Sequence, residues 1–254
     1  MRIFLRLLGL LMFAPAFTHA DEVNVAVATN FLPALKKIVQ HFERDTGHRL
    51  RISAGSTGKL FVQIKQGAPF DILLAADAER PRLLEEQGLA VKGSRFTYAI
   101  GQLVLWSPRP GFIDGAGGVL KNEKFNHLAI ANPKIAPYGK AAQQALMHLG
   151  LWKQLRPRLV QGEDIGQTLQ FIASGNAELG FVAFSQIVNL PDADKGGYWP
   201  VPQELYEPIQ QQAVLLARAA DNVAARAFFT YLNSGQARTF IRQAGYALGG
   251  STKN

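Results

Sequence analysis

The sequence predicts an α/β protein built as two lobes facing one another across a cleft. Strand-like and helix-like segments alternate along the chain without repeats or low-complexity runs, the pattern of helices layered on a sheet. Two long strand-like stretches, residues 97–106 and 209–217, bracket a central block with strands of its own at 128–131 and 179–184. Several strand-to-helix turns are rich in hydrogen-bond donors, at the place where open α/β sheets bind ligands.

Each element follows from its residues. Arg2 and Arg6 precede an apolar run that reaches Phe13 and ends in Thr18-His19-Ala20, so residues 1–20 read as a cleaved secretory leader and lie outside the fold. Residues 23–28 form a buried-strand run. Thr29-Asn30 then offers cap residues before Pro33 and an apolar stripe at Phe31, Leu35, Ile38, Val39 and Phe42, which Gly47 stops. A second strand over 50–54, a tight turn over 55–58 and a short helix over 59–66 closed by Gly67 come next. A third strand over 72–76 leads to a helix through Leu83 and Leu84 that ends at Gly88.

Residues 97–106 and 209–217 read as two crossover strands forming a hinge. The chain leaves the first lobe near Gly101, builds the second, returns near Glu207, and completes the first with helices over 224–232 and 236–243. The expected division is 1–20 leader, 21–101 first lobe, 102–206 second lobe and 207–254 return to the first lobe. The alternative is one larger α/β domain with these strands at its centre.

Composition narrows the chemistry. The absence of cysteine removes disulfides, thiol nucleophiles and cysteine-held metals. The net charge is +8, and without Arg2 and Arg6 the remaining 25 basic and 19 acidic residues leave +6. An exported protein is remote from nucleic acid, so the surplus suits a small anion better. No later run approaches the roughly 20 apolar residues of a membrane span.

Three turns are candidate anion sites: Thr29-Asn30, Ser56-Thr57-Gly58, and Ile165-Gly166 after the strand-like 159–161. A helix start carries N–H groups without internal partners and a partial positive charge, so convergent starts hold an anion without a side-chain cation. Each turn also has a plain alternative, since Thr29, Asn30, Ser56 and Thr57 are ordinary capping residues and Tyr138 an ordinary half-buried aromatic.

Enzyme and metal motifs fail on spacing. Ala54-Gly55-Ser56-Thr57-Gly58 superficially matches a nucleophile elbow, but the later histidines, His127 and His148, leave the last hundred residues without one. The same turn is not a phosphate-binding P-loop, because Ser53 replaces the first Gly and Leu60 follows Lys59. Gly115-Ala116-Gly117-Gly118 lies in a loop after Asp114 and reads as a turn. His41, His48, His127 and His148 are scattered, and the adjacent pairs Glu85-Glu86 and Glu163-Asp164 diverge on a helix, so no free metal ion is expected.

The segments Ala28-Thr29-Asn30-Phe31-Leu32, Ser53-Ala54-Gly55-Ser56-Thr57-Gly58, Gly67-Ala68-Pro69-Phe70-Asp71, 93–101, Asn132-Pro133 and Ala136-Pro137-Tyr138-Gly139 resemble the periplasmic molybdate-binding proteins of ABC importers, across essentially the whole mature chain. The resemblance implies a two-lobed type II periplasmic-binding fold, no enzymatic activity and no cofactor. It also implies a monomer in the periplasm that passes molybdate, and also tungstate, to a membrane permease. By the same resemblance Thr29 and Asn30 donate from hydroxyl, amide or backbone N–H. Thr57 takes the hydroxyl position of the second turn with Ser56 its close alternative, Tyr138 donates a phenol from the second lobe, and Ile165 donates a backbone N–H. Another branch places a Tyr after its Gly-hydrophobic-Val strand, whereas Gly180-Phe181-Val182 is followed here by Ala183 and Phe184.

Molybdate near neutral pH is a fully deprotonated dianion, so an all-donor shell satisfies it. Phosphate keeps a proton and wants an acceptor, for which Asp164 is the nearest candidate. A sulfate- or phosphate-type binder on the same fold and a secreted serine hydrolase using Ser56 are the alternatives.

Overall fold

A computed structural model describes residues 22–122 and 124–249; the leader expected over residues 1–20 lies outside them. The strands are β1 (Glu22–Ala28), β2 (Arg49–Gly55), β3 (Ile72–Leu74), β4 (Phe96–Gly101), β5 (Leu103–Ser107), β6 (Leu128–Ala131), β7 (Leu159–Gly162), β8 (Leu179–Ala183), β9 (Gly197–Pro200) and β10 (Ile209–Leu215). They form two separate five-stranded sheets in the orders β2-β1-β3-β10-β4 and β7-β6-β8-β5-β9. A single central sheet is thereby excluded. In each sheet parallel strands are joined by helices, and antiparallel strands complete one side.

The helices are α1 (Leu32–Thr46), α2 (Thr57–Lys65), α3 (Glu79–Glu86), α4 (Pro137–His148), α5 (Trp152–Leu155), α6 (Ile165–Ala173), α7 (Phe184–Ile187), α8 (Val223–Leu232) and α9 (Gly235–Gln243). In α1 the whole expected stripe, Leu35, Ile38, Val39 and Phe42, is buried, with Phe31 beneath its first turn. These residues pack with Val23, Val25 and Val27 of β1 and with Phe228 and Leu232 of α8. The helix ends at Gly47, whose φ of 76° is strained for any residue with a Cβ. A second core beneath the other sheet joins Leu103, Leu128, Ile130, Leu146, Leu179 and Phe181. Each fully buried Leu, Ile or Phe contributes about 1.5–3 kcal/mol.

The crossovers differ from the sequence expectation. Residues 97–106 are not one strand: β4 belongs to the first sheet, β5 to the second, and Gln102 alone separates them. Residues 209–217 do not cross at all. β10 lies wholly in the first sheet, so the chain returns over residues 201–208, around a 3-10 turn at Gln203–Leu205. Strand β9, helix α4 and the short helices α5 and α7 had no counterpart in the sequence reading. The glycine-rich loop is a turn, with Asp114 Oδ1 accepting from the N–H groups of Ala116 and Gly118.

Candidate functional site

The C-terminal ends of β1 and β2 point at the second sheet, and those of β6 and β7 point back. Between them lies a small pocket of about 210 Å³ of atom-free space, lined by Ala28, Thr29, Asn30, Gly55, Ser56, Thr57, Ala76, Ala136, Pro137, Tyr138, Asp164 and Ile165. All six residues singled out from the sequence therefore line one pocket, drawn from both halves of the molecule. The starts of α2, α4 and α6 converge on it. Its lining includes no Lys or Arg, and Asp164 is its one charged residue.

The donors divide into spent and unspent. Thr29 Oγ1 and Ser56 Oγ are buried without any hydrogen-bond partner. Ser56 occupies the N-cap position of α2, where a Ser normally binds the backbone, yet its side chain makes no capping bond. Thr29 and Asn30 cap nothing either: they begin a 3-10 turn, and α1 has no side-chain cap. A buried hydroxyl without a partner costs roughly 1–3 kcal/mol, so two in one pocket mark a place built for an acceptor.

Thr57 and Asn30 also bond within the protein. Thr57 Oγ1 accepts from the Ala76 N–H at 3.0 Å, which braces the turn against the residue that follows β3 and leaves the Thr57 proton to donate, so Ser56 and Thr57 both keep a hydroxyl proton at this turn. Asn30 Nδ2 donates to Gln211 Oε1 and to Tyr246 Oη, both at 2.9 Å. Its amide is thus used within the protein, and only its backbone N–H faces the pocket question.

In α6, Asp164 Oδ1 accepts from the N–H groups of Gly166 at 2.8 Å and Gln167 at 3.0 Å. The Ile165 N–H stands outside this cap, consistent with the backbone donor expected there. Tyr138 is the second residue of α4 and almost fully buried, against the plain reading of a half-exposed aromatic. Its oxygen accepts from Gln211 Nε2 at 3.1 Å. Burial holds the phenol well above the ordinary tyrosine pKa, so it is a neutral O–H.

Sequence reasoning missed the polar residues behind the pocket. Gln211 Oε1 accepts from Asn30 and from Tyr98 Oη at 3.1 Å, while Tyr246 Oη donates to the Asn30 carbonyl at 2.8 Å. Ser185 Oγ reaches the same carbonyl at 3.3 Å. The signal for Gln211 lay in strand alternation, which places it inward with Ile209 and Ala213.

The two halves touch directly at several points. The Gly58 N–H donates to the Ile135 carbonyl at 2.9 Å, and a Cβ at Gly58 would lie 2.9 Å from Ile135 Cα. Lys59 pairs with Glu163 at 2.8 Å across the gap. A larger groove beside the pocket, about 1090 Å³ of open space, carries Arg80, Lys134 and Lys140. Arg80 is paired with Asp77 and Lys140 with Glu207, so most of its positive charge is already met. The carboxylates weighed as metal ligands are used likewise: Glu85 binds Arg95 and Glu86 binds Arg82. Among the described residues no group of His, Asp and Glu has metal-site geometry. No histidine lines the pocket, so Ser56 has no imidazole beside it.

The model of the bacterial extracellular solute-binding protein family matches residues 23–247. The molybdate-binding protein ModA of Azotobacter vinelandii is 52% identical over 230 residues, 91% of each chain. ModA of Rhodobacter capsulatus is 46% identical over 239 residues, 94% of this chain and 93% of that one. The solved structure of an A. vinelandii periplasmic molybdate-binding protein superposes with a TM-score of 0.85 at 44% identity, covering 89% of this chain and 99% of that one. The sulfate-binding protein SubI of Mycobacterium tuberculosis H37Rv shares the fold, with a TM-score of 0.75 at 15% identity over 91% of this chain and 88% of that one. Two facing α/β halves, a donor-lined pocket between them and these relationships agree: the chain belongs to the bacterial extracellular solute-binding protein family, with the type II periplasmic-binding fold.

Proposed function

We propose that the chain captures molybdate between its halves and delivers it to the membrane permease of an ABC importer, acting as a binding protein and not an enzyme. The observation that carries this reading is the pair of orphan hydroxyls, Thr29 Oγ1 and Ser56 Oγ, facing one pocket. The ligand's oxygens accept from these hydroxyls, from the Tyr138 phenol and from the backbone N–H groups of Asn30 and Ile165. Thr57, the expected hydroxyl of the second turn, accepts from the Ala76 N–H and donates its own proton to the ligand beside Ser56. The dianion's charge meets three helix starts in a dry site, where hydrogen bonds to a charged group are worth about 1.5–3 kcal/mol each.

Asp164, the one candidate acceptor for a protonated oxyanion, has an oxygen committed to two backbone N–H groups of α6. Molybdate, fully deprotonated, needs no acceptor from Asp164. Sulfate is also fully deprotonated, so size discriminates: a shell fitted to molybdate or tungstate leaves stretched bonds around the smaller ion. Tungstate, nearly equal in size to molybdate, binds alike.

Residues 21–101 with 207–254 and residues 102–206 act as two lobes that close over the ligand about the two crossovers. The protein works as a monomer in the periplasm, exported by the leader of residues 1–20. Thermal melts of the mature protein test the reading, because a ligand at a hundred times its Kd stabilises the native state by ~2.7 kcal/mol. Molybdate and tungstate should raise Tm strongly and equally, and sulfate and phosphate little; a dominant shift with sulfate or phosphate would overturn the molybdate assignment.

A further inference from the structure

Tyr138 reaches the pocket from α4 of the second half, yet the groups that set its phenol belong to the first. Gln211, fully buried on β10, donates from Nε2 to Tyr138 Oη at 3.1 Å. The amide cannot be turned round without loss, because its Oε1 already accepts from Asn30 Nδ2 at 2.9 Å and from Tyr98 Oη at 3.1 Å. Asn30 is fixed in turn, its second N–H going to Tyr246 Oη while Tyr246 donates to the Asn30 carbonyl. The Asn30 and Gln211 amides and the Tyr246 phenol are thereby oriented, while the single Tyr98 proton is shared between Gln211 Oε1 and the Ala75 carbonyl, both at 3.1 Å.

A phenol oxygen that accepts from Gln211 keeps its own proton to donate, and Tyr138 lines the pocket. The last partner is Gly101, the final residue of β4. A Cβ there would stand 2.2 Å from Tyr138 Oη and 2.8 Å from Gln211 Nε2, so the phenol rests directly on the glycine backbone. Gly101 is extended strand with no positive φ, so space rather than backbone conformation demands glycine here.

We propose that Gln211 and Gly101 are positioning residues: the Gln211 amide occupies the acceptor side of the Tyr138 phenol, Gly101 leaves the space in which that phenol sits, and together they make Tyr138 an obligate donor to the bound oxyanion. The proposal rests on the ligand role of Tyr138 given above and deepens it, since it states how a residue of one half is made specific by the other. It also adds to selectivity. A phenol locked as donor serves an oxyanion without protons and offers nothing to the O–H of a protonated one.

Double-mutant cycles on the mature protein, with calorimetric Kd for sodium molybdate, test this. Tyr138→Phe should weaken binding about tenfold or more. Gln211→Met should weaken it severalfold in the native background and hardly at all when Tyr138 is already Phe. Gly101→Ala provides the second variant, keeping the Gln211 amide that Asn30 and Tyr98 bond to while its new methyl crowds the phenol most closely and Gln211 Nε2 beside it. It should show the same dependence on Tyr138, with both variants keeping a cooperative melt without ligand. Penalties for Gln211→Met and Gly101→Ala that persist undiminished beside Tyr138→Phe would overturn the positioning role while leaving Tyr138 a ligand contact. No loss on Tyr138→Phe itself would overturn the ligand role of Tyr138 as well.

Discussion

Replacing Ser56 by Ala should move stability and affinity in opposite directions. The side chain is 4% exposed as a residue, its Oγ has no partner, and although it stands at the N-cap of α2 it makes no capping bond. The ordinary cost of losing a Ser cap, about 0.5–2 kcal/mol, is therefore absent. What is removed instead is a buried unsatisfied hydroxyl, whose presence costs roughly 1–3 kcal/mol. The ligand-free variant should melt no lower than the native protein, and each kcal/mol relieved raises Tm by about 2–4 °C in a chain of this size. With molybdate the sign reverses, because a hydrogen bond to a dianion is lost. At ~1.5–3 kcal/mol, the Kd should rise roughly ten- to a hundredfold. Calorimetric titration with molybdate and ligand-free melts on the same samples give both quantities. A lowered ligand-free Tm with an unchanged Kd would make Ser56 a structural residue and refute the reasoning.

Two further outcomes follow from the buried interior and the contact between halves. Burial is the first cause that holds Tyr98, Tyr138 and Tyr246 above the ordinary tyrosine pKa of 10.0. A phenol raised in the folded state contributes fully below the unfolded value and loses its contribution as pH climbs past about 10. Molybdate affinity should therefore be flat from neutral pH to about pH 9 as far as these phenols are concerned, and tyrosinate absorbance from them should appear only together with unfolding; early titration of Tyr138 in the native protein would count against its burial. Gly58→Ala places a Cβ against backbone atoms of Ile135, so closure should suffer: X-ray scattering should show compaction of the native protein with molybdate and less compaction for the variant, and equal radii with and without ligand in the native protein would rule out an opening hinge.

Most of the fold was legible because apolar patterning and punctuation agree. The stripe of α1 and the stop at Gly47 mark one helix unambiguously, and the apolar run of β6 is bounded as expected. The crossovers were less legible for a physical reason. At Gln102 the chain passes between sheets in a single residue, which leaves no turn signature between two strands that are each apolar. Gln210-Gln211-Gln212 opens no gap either, since β10 continues through them with a bulge between Gln211 and Gln212.

The pocket residues were readable as a group because hydroxyls and amides at successive strand-to-helix turns face one point. Their division of labour was not. Thr57 and Ser56 are adjacent and chemically alike, and only the fold shows that Thr57 Oγ1 accepts from the Ala76 N–H while Ser56 Oγ has no partner at all. Asn30, expected to offer its amide or its backbone N–H, turns the amide towards Gln211 and Tyr246, 181 and 216 positions away in the chain. Contacts of that separation have no local signature.

The most direct measurement is the anomalous difference density of a crystal grown with molybdate and recorded near the molybdenum absorption edge. The expected result is one strong peak between the halves, with oxygens within hydrogen-bonding distance of Thr29 Oγ1, Ser56 Oγ, Tyr138 Oη and the Ile165 N–H. A peak in the larger groove beside Arg80, Lys134 and Lys140, with the small pocket empty, would contradict the assignment of the orphan hydroxyls as the ligand's donors.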